Sequence, residues 1–194
     1  ATALSATFLE CVVAPGCDAA AQEILARKKN LRILVLPDLV GQPEMVVKTV
    51  AGGFLLQAPD HSVERPETWT IVTERQPSPE QQEALSFAWK VVKHVKSNAI
   101  VIAQRDVTLG IGAGQMNRVG SVQIALEQAG DRAQGAVLAS DAFFPFDDCV
   151  KMAHATGIVA FIQPGGSVRD QDSIDYCKQN NLALVITGLR HFKH

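Results

Sequence analysis

The chain has 194 residues, 47% of them hydrophobic, enough to bury a core as one domain or two small ones. A net charge of -2 with 20% charged residues carries no basic excess, so a nucleic-acid partner is not expected. No apolar run approaches the roughly 18 to 20 residues needed to span a bilayer, and Ala1-Thr2-Ala3-Leu4-Ser5 lacks the basic-then-apolar order of a signal peptide, so no membrane partner is expected either.

Taken in chain order, Phe8 to Val13 reads as a strand broken by Ala14-Pro15-Gly16, and Asp18 can cap a helix whose stripe is Ala21, Ile24, Leu25 and Lys28. A second strand, Leu31 to Leu36, completes a unit that commonly pairs in parallel. From Pro37 to Pro77 the pattern is less regular: Met45 to Val50 and Phe54 to Gln57 suggest short strands joined through Gly52-Gly53, Glu64 to Glu67 suggests loop, and Trp69 to Thr73 a further strand. Ser78-Pro79-Glu80-Gln81 is a capping-box start, with a core face of Leu85, Ala88, Val92 and Val95 predicting a helix to about Lys96-Ser97. A strand from Asn98 to Ala103 and its hairpin partner Val107 to Ile111 follow.

Gly110-Ile111-Gly112-Ala113-Gly114-Gln115 then leads into a helix opened by Arg118. Alternate glycines could admit a ligand to the backbone at a helix start, or could simply make a tight strand-to-helix turn. Gln115 stands where a dinucleotide fingerprint needs its third glycine. The helix buries Val122, Ala125, Leu126 and Ala129 and stops at Gly130. Three short apolar strands, Val137 to Ala139, Ile158 to Ile162 and Leu182 to Ile186, alternate with helices from about Phe146 to Thr156 and Asp170 to Asn180. This predicts an α/β sandwich: a mostly parallel mixed sheet covered by helices on both faces, with loops at one edge open to a ligand.

Three further stretches carry functional residue types. In Ser140 to Asp148, Phe143, Phe144 and Phe146 cannot all point inward if Pro145 starts a helix, so a ring either lines a cleft and stacks on a planar heterocycle or plugs the sheet edge. Pro164-Gly165-Gly166-Ser167 exposes backbone, with Asp170 as capping partner. Arg190-His191-Phe192-Lys193-His194 follows a core strand with no linker to carry it away from the sheet. His61, His94 and His154 receive no role. Cys11, Cys17, Cys149 and Cys177 form no C-x-x-C pair and have no histidine at ligand spacing, which argues against zinc and predicts buried, reduced thiols in a cytoplasmic protein. The absence of an initiator Met suggests processing or a piece of something longer. From the residues alone the sequence supports a small planar anionic ligand at a sheet edge without naming a reaction.

At these same stretches the chain resembles the C-terminal portion of AICAR transformylase, the formyltransferase half of a bifunctional purine-biosynthesis protein that also carries IMP cyclohydrolase. The resemblance rests on Ser97-Asn98, the glycine loop with Arg118, Ser140 to Phe146, Gln163 to Ser167, and Arg190-His191-Phe192 with His194. It covers Phe8 to His194 and implies that residues 1–194 form one C-terminal subdomain, less regular over about 37–77. The implied fold is cytidine-deaminase-like without zinc. The implied reaction moves a formyl group from 10-formyltetrahydrofolate, the co-substrate, to AICAR, with no metal. At matching positions Glu10, Asn98, Arg118, Phe143 and Arg190 would hold the nucleotide. Val119, Asp148, Ser167 and Val168 would line the folate side, and His194 and Asn98 would approach the reacting centre. Glu10 stands where the family often has aspartate. The family's catalytic Lys-His pair would lie upstream, so the chain is expected to lack it and to be inactive alone, the parent protein being a homodimer. The competing expectation is a stand-alone nucleotide-binding or assembly module without catalysis.

Overall fold

The computed structural model describes residues 1–39, 45–63 and 66–194, arranged as two compact units, Ala1–His61 and Ser62–His194. Glu64 and Arg65, in the charged run expected as loop, lie outside the described residues.

In the first unit, Asp18 accepts the Ala21 N–H (2.7 Å) and starts α2 (Ala19–Ala26), which follows a single-turn α1 (Thr2–Ser5). Strands β1 (Cys11–Ala14) and β2 (Arg32–Val35) pair in parallel, as the strand-helix-strand pattern predicts. Of the expected α2 stripe only Leu25 is buried. β3 (Val46–Val50) and β4 (Gly53–Gln57) form an antiparallel hairpin around Gly52, and every residue in both strands is exposed.

The second unit is built on a six-stranded mixed sheet, β5 (Thr70–Ile71), β10 (Ala183–Ile186), β9 (Ala160–Gln163), β8 (Val137–Ser140), β6 (Ile100–Gln104) and β7 (Val107–Gly112), in that spatial order. β8, β9 and β10 run parallel, while β6 is antiparallel to both neighbours and β5 is antiparallel to β10. α3 (Pro79–Val92) packs one face of the sheet, placing Leu85, Ala88 and Val92 against Val101, Ala139 and Ile162. α4 (Arg118–Ala129), α5 (Asp148–Ala155) and α6 (Asp170–Gln179) contribute to the other core, around Ile102, Leu138, Phe161 and Leu184. Alternating strand residues thus feed two cores, which is why these strands read as continuously apolar.

Several boundaries differ from the sequence expectation, among them β1, which starts at Cys11 rather than Phe8 and takes in Ala14, and three can be followed to particular hydrogen bonds. α3 ends at Val92 rather than near Ser97, because the Ser97 N–H donates to the Lys193 carbonyl (2.8 Å) and the Lys96 carbonyl accepts from Gly114 (2.8 Å). α5 starts at Asp148 rather than about Phe146, its first intrahelical bond running from the Lys151 N–H to the carbonyl of the N-cap Asp147 (2.9 Å). The Trp69 to Thr73 strand shortens to two residues, and its run past β5 continues through the Thr73 hydroxyl, which accepts the Leu184 N–H (3.1 Å).

Candidate functional site at one sheet edge

The strand register gathers the sequence motifs. Ile100 pairs with both Ser140 and Gly112, Ala139 with Ile162, and Gln163 with Ile186. The start of β6 and the ends of β7, β8, β9 and β10 therefore share one edge, bringing Asn98, the glycine loop, Ser140 to Phe146, Pro164 to Ser167 and the terminal residues onto it. Five chain segments distant in sequence supply that edge because the parallel strands all leave the sheet there.

The centre of the edge is a buried ion pair. Arg118 and Asp141 are 2.5 Å apart, with side-chain exposures of 5% and 0%. Arg118 also donates to the Ser140 hydroxyl (2.8 Å) and to Asn98 Oδ1 (2.8 Å). Asp141 accepts from the Ala99 N–H (3.1 Å) and the Ser97 hydroxyl (2.5 Å), so several groups share the desolvation of its charge. Asn98, joined to Ser97 by a cis peptide bond, donates through Nδ2 to the Gln115 carbonyl (2.8 Å). The Asn117 side chain caps α4 by accepting the Gly120 N–H (2.7 Å), which fixes where Arg118 leaves the helix.

The three phenylalanines take three directions. Phe144 is fully buried, edge-on to Phe161 at 6.5 Å. Phe143 is half-buried with the Arg190 guanidinium 4.9 Å from its ring centroid, and Phe146 is exposed beneath Arg169 at 4.8 Å. Phe144 thus plugs the core, while Phe143 and Phe146 lie nearer the surface, each beneath an arginine.

The tail is tied down rather than solvated. Its residue His191 is 2% exposed, its ring 4.7 Å from Trp89, and its N–H donates to the Asp141 carbonyl (2.9 Å). Lys193 donates its N–H to Ser97 Oγ (3.1 Å) and its Nζ to the His94 carbonyl (3.1 Å). Arg190 and His194 remain exposed, His194 stacking loosely on Phe192 at 5.8 Å. In the Pro164 loop, Asp170 Oδ2 accepts the Gly166 and Ser167 N–H groups (2.6 and 3.1 Å) and holds the turn, but α6 starts after Arg169 with no side-chain cap, so the expected Ser167–Asp170 cap does not form.

Of the expected folate-side residues, Val119 is half-buried against the core, Asp148 is exposed in the first turn of α5, Ser167 is half-buried, and Val168 is fully exposed. Glu10 lies exposed in the first unit, immediately before β1.

The ligand-access reading fails for two loop glycines. A Cβ on Gly110 would overlap the Ala125 carbonyl, and one on Gly112 the Ser121 carbonyl, so both glycines admit the α4 backbone. Gly114, at φ +65°, supplies the turn. The expectation that all thiols are buried also needs correction: Cys149 and Cys177 are buried, their thiols pushed by desolvation up to about 12, whereas Cys11 is exposed and Cys17 half-exposed. All four are free, and among the described residues no group of His, Cys, Asp and Glu is placed to hold a metal.

Sequence reasoning gave no role to Asp141, Ser97 or Gln163, which hold the edge together. The signal was present for Asp141: a charged residue directly after an apolar strand must find a buried partner. Two Lys-His dipeptides, Lys93-His94 and Lys193-His194, do occur, contrary to the expectation that the chain has none. Lys93 Nζ donates to the Ser62 carbonyl (2.7 Å), and Lys193 belongs to the tail contacts above.

Comparison with known proteins matches residues 1–128 to the family model described as AICARFT/IMPCHase bienzyme. The chain belongs to the AICARFT/IMPCHase bienzyme family. It is 63% identical over all 194 residues to a bifunctional purine biosynthesis protein PurH from Synechocystis sp.. The identity to the PurH of Synechococcus elongatus is 62% and to that of Gloeothece citriformis 60%, again over the whole chain. This AICARFT/IMPCHase family member spans 38% of the length of each of these relatives. Among solved structures, two forms of Acinetobacter baumannii RibD align with a TM-score of 0.38 at 17% and 19% identity, covering 54% and 56% of this chain and 33% and 34% of theirs. No helix among the described residues is long and apolar enough to cross a membrane.

Proposed function

We propose that the chain is the C-terminal subdomain of an AICAR transformylase within a longer, cytoplasmic, homodimeric protein of purine biosynthesis. In this reading it binds part of AICAR and part of 10-formyltetrahydrofolate, and it needs the rest of the transformylase domain for turnover. The supporting observation is the shared edge, where Arg190 over Phe143 offers a guanidinium fork beside an aromatic face. That pairing suits a phosphate and a planar base.

Asn98, held by Arg118, would present its amide to the ribonucleotide, while Arg118 keeps the floor of the site charged and rigid. Val119, Asp148, Ser167 and Val168 would flank the folate, and His194 would approach the reacting amine together with Asn98. The exocyclic amine is a weak nucleophile, so transfer needs a base to take its proton and a cation to hold the tetrahedral oxyanion. Both belong, in this proposal, to a Lys-His pair of the remaining protein.

Calorimetric titration of the 194-residue chain tests the reading. Saturable binding of AICAR, with the dephosphorylated riboside at least about tenfold weaker because a charge-assisted contact is lost, is the expected result. Equal affinity for the two, or no binding to a chain shown folded by circular dichroism, would overturn it. Formyl transfer by the chain alone would overturn the dependence on a missing segment.

A further inference from the structure

Lys193 is fixed by three hydrogen bonds, two of them to Ser97. The Ser97 N–H donates to the Lys193 carbonyl (2.8 Å), the Lys193 N–H donates to Ser97 Oγ (3.1 Å), and Lys193 Nζ donates to the His94 carbonyl (3.1 Å). The half-buried Ser97 hydroxyl has a single proton, which it donates to Asp141 Oδ2 (2.5 Å), leaving its lone pairs to accept from Lys193. Paired with Arg118 through its other oxygen at 2.5 Å, the Asp141 carboxylate offers acceptors only, so the ion pair sets which way the Ser97 hydroxyl points. His194 follows Lys193 directly, is exposed, and has its ring contact with Phe192 of the same tail, at 5.8 Å. Its place at the sheet edge is therefore inherited from Lys193.

We propose that Ser97 is a positioning residue: its hydroxyl, oriented by the Arg118–Asp141 ion pair, seats Lys193 and so holds His194 at the site. The role rests on the reading in which His194 approaches the reacting amine of AICAR. Arg190 is anchored separately, through the adjacent His191 N–H on the Asp141 carbonyl (2.9 Å) and through the Phe143 ring. Loss of the Ser97 hydroxyl should therefore displace His194 while sparing the contact assigned to the phosphate.

Two readouts on the 194-residue chain test this, amide hydrogen exchange at Lys193 and the imidazole NMR resonance of His194, assigned through His194→Gln. In Ser97→Ala the Lys193 amide should exchange at least about fivefold faster, the worth of one hydrogen bond, with the far-ultraviolet circular dichroism unchanged. Saturating AICAR should shift the His194 resonance in the wild type and shift it far less in Ser97→Ala, while the affinity for AICAR stays within about threefold. Ser97→Thr, which keeps the hydroxyl, should restore both readouts. Unchanged Lys193 exchange in Ser97→Ala would overturn the seating whatever the ligand does. Faster exchange with a wild-type His194 response would overturn the positioning role, as would a Ser97→Thr variant that behaves like Ser97→Ala. A wild type that binds AICAR without any His194 response would overturn the placement of His194 at the site, and this role with it.

Discussion

The Arg190 guanidinium sits 4.9 Å from the Phe143 ring centroid, linking the exit of the last strand to the loop after β8. Arg190 is exposed and Phe143 half-buried, so the pair is open to a ligand. Replacing Arg190 with Ala should weaken AICAR binding by about tenfold or more while shifting the melting temperature little. Lys at this position should restore only part of the affinity, because it keeps the charge and loses the planar fork. Calorimetry on the three proteins measures this, and an Arg190→Lys variant equal to wild type would remove the fork from the account.

Arg118 and Asp141 predict a different outcome, because both are buried. Arg118→Met strands a carboxylate whose remaining partners are Ser97 and the Ala99 N–H, and should cost about 3–5 kcal/mol of stability. Urea denaturation with an unchanged slope measures the loss. A double variant, Arg118→Met with Asp141→Leu, should recover part of it, since the stranded charge is gone.

Gly112→Ala and Gly114→Ala separate packing from turn geometry. At Gly112 the new methyl would enter the Ser121 carbonyl, forcing α4 off β7, and the expected result is a loss of the folded second unit. At Gly114 the new methyl would meet only Lys96 Cβ, at an ordinary contact of 3.9 Å, and the φ is positive, so the cost is backbone strain of about 1–2 kcal/mol. Thermal unfolding of the two variants should therefore differ widely, although the substitutions are chemically identical.

The thiols carry a pH dependence. Burial raises Cys149 and Cys177 from the ordinary 9.0 to about 12, so the folded state retains protons that the unfolded chain releases. Their contribution to stability is fully present below pH 9.0 and is lost as pH climbs from 9.0 toward 12. A thiol reagent at neutral pH should label Cys11 and Cys17 promptly and reach Cys149 and Cys177 only after denaturant is added. Prompt labelling of all four would show that α5 and α6 open readily.

The β3–β4 hairpin exposes Phe54 by 69% and Leu56 by 64%, on one face of a two-stranded ribbon. Such a ribbon gains too little burial by itself to be stable in water, and its apolar face favours association. Sedimentation should show concentration-dependent association of the chain, reduced by the double change Phe54→Asp and Leu56→Asp with little change in the unfolding midpoint of the second unit. Association unaltered by the double change would place the sticky surface elsewhere.

Local chemistry in the sequence by itself determined much of this protein. The capping box at Ser78 and Gln81 and the Asp18 cap form as read, because each satisfies donors within three residues. The alternation of apolar strands with helices after Val137 determined the parallel β8, β9 and β10, whose two-sided burial requires continuous apolar runs. What only the tertiary structure decided was the partnership across long sequence gaps. Gly110 and Gly112 carry the same composition signal whether a ligand or a helix approaches them, and only the position of Ala125 and Ser121 distinguishes the two. The same holds for the tail: Arg190 to His194 is basic and polar enough to be solvated, and it is fixed because Ser97, Asp141 and Trp89, remote in the chain, supply acceptors and a stacking face. Periodicity and capping act within a few residues, whereas a buried charge or a stacked histidine depends on which strands become neighbours, and that is set by the packing of the whole sheet.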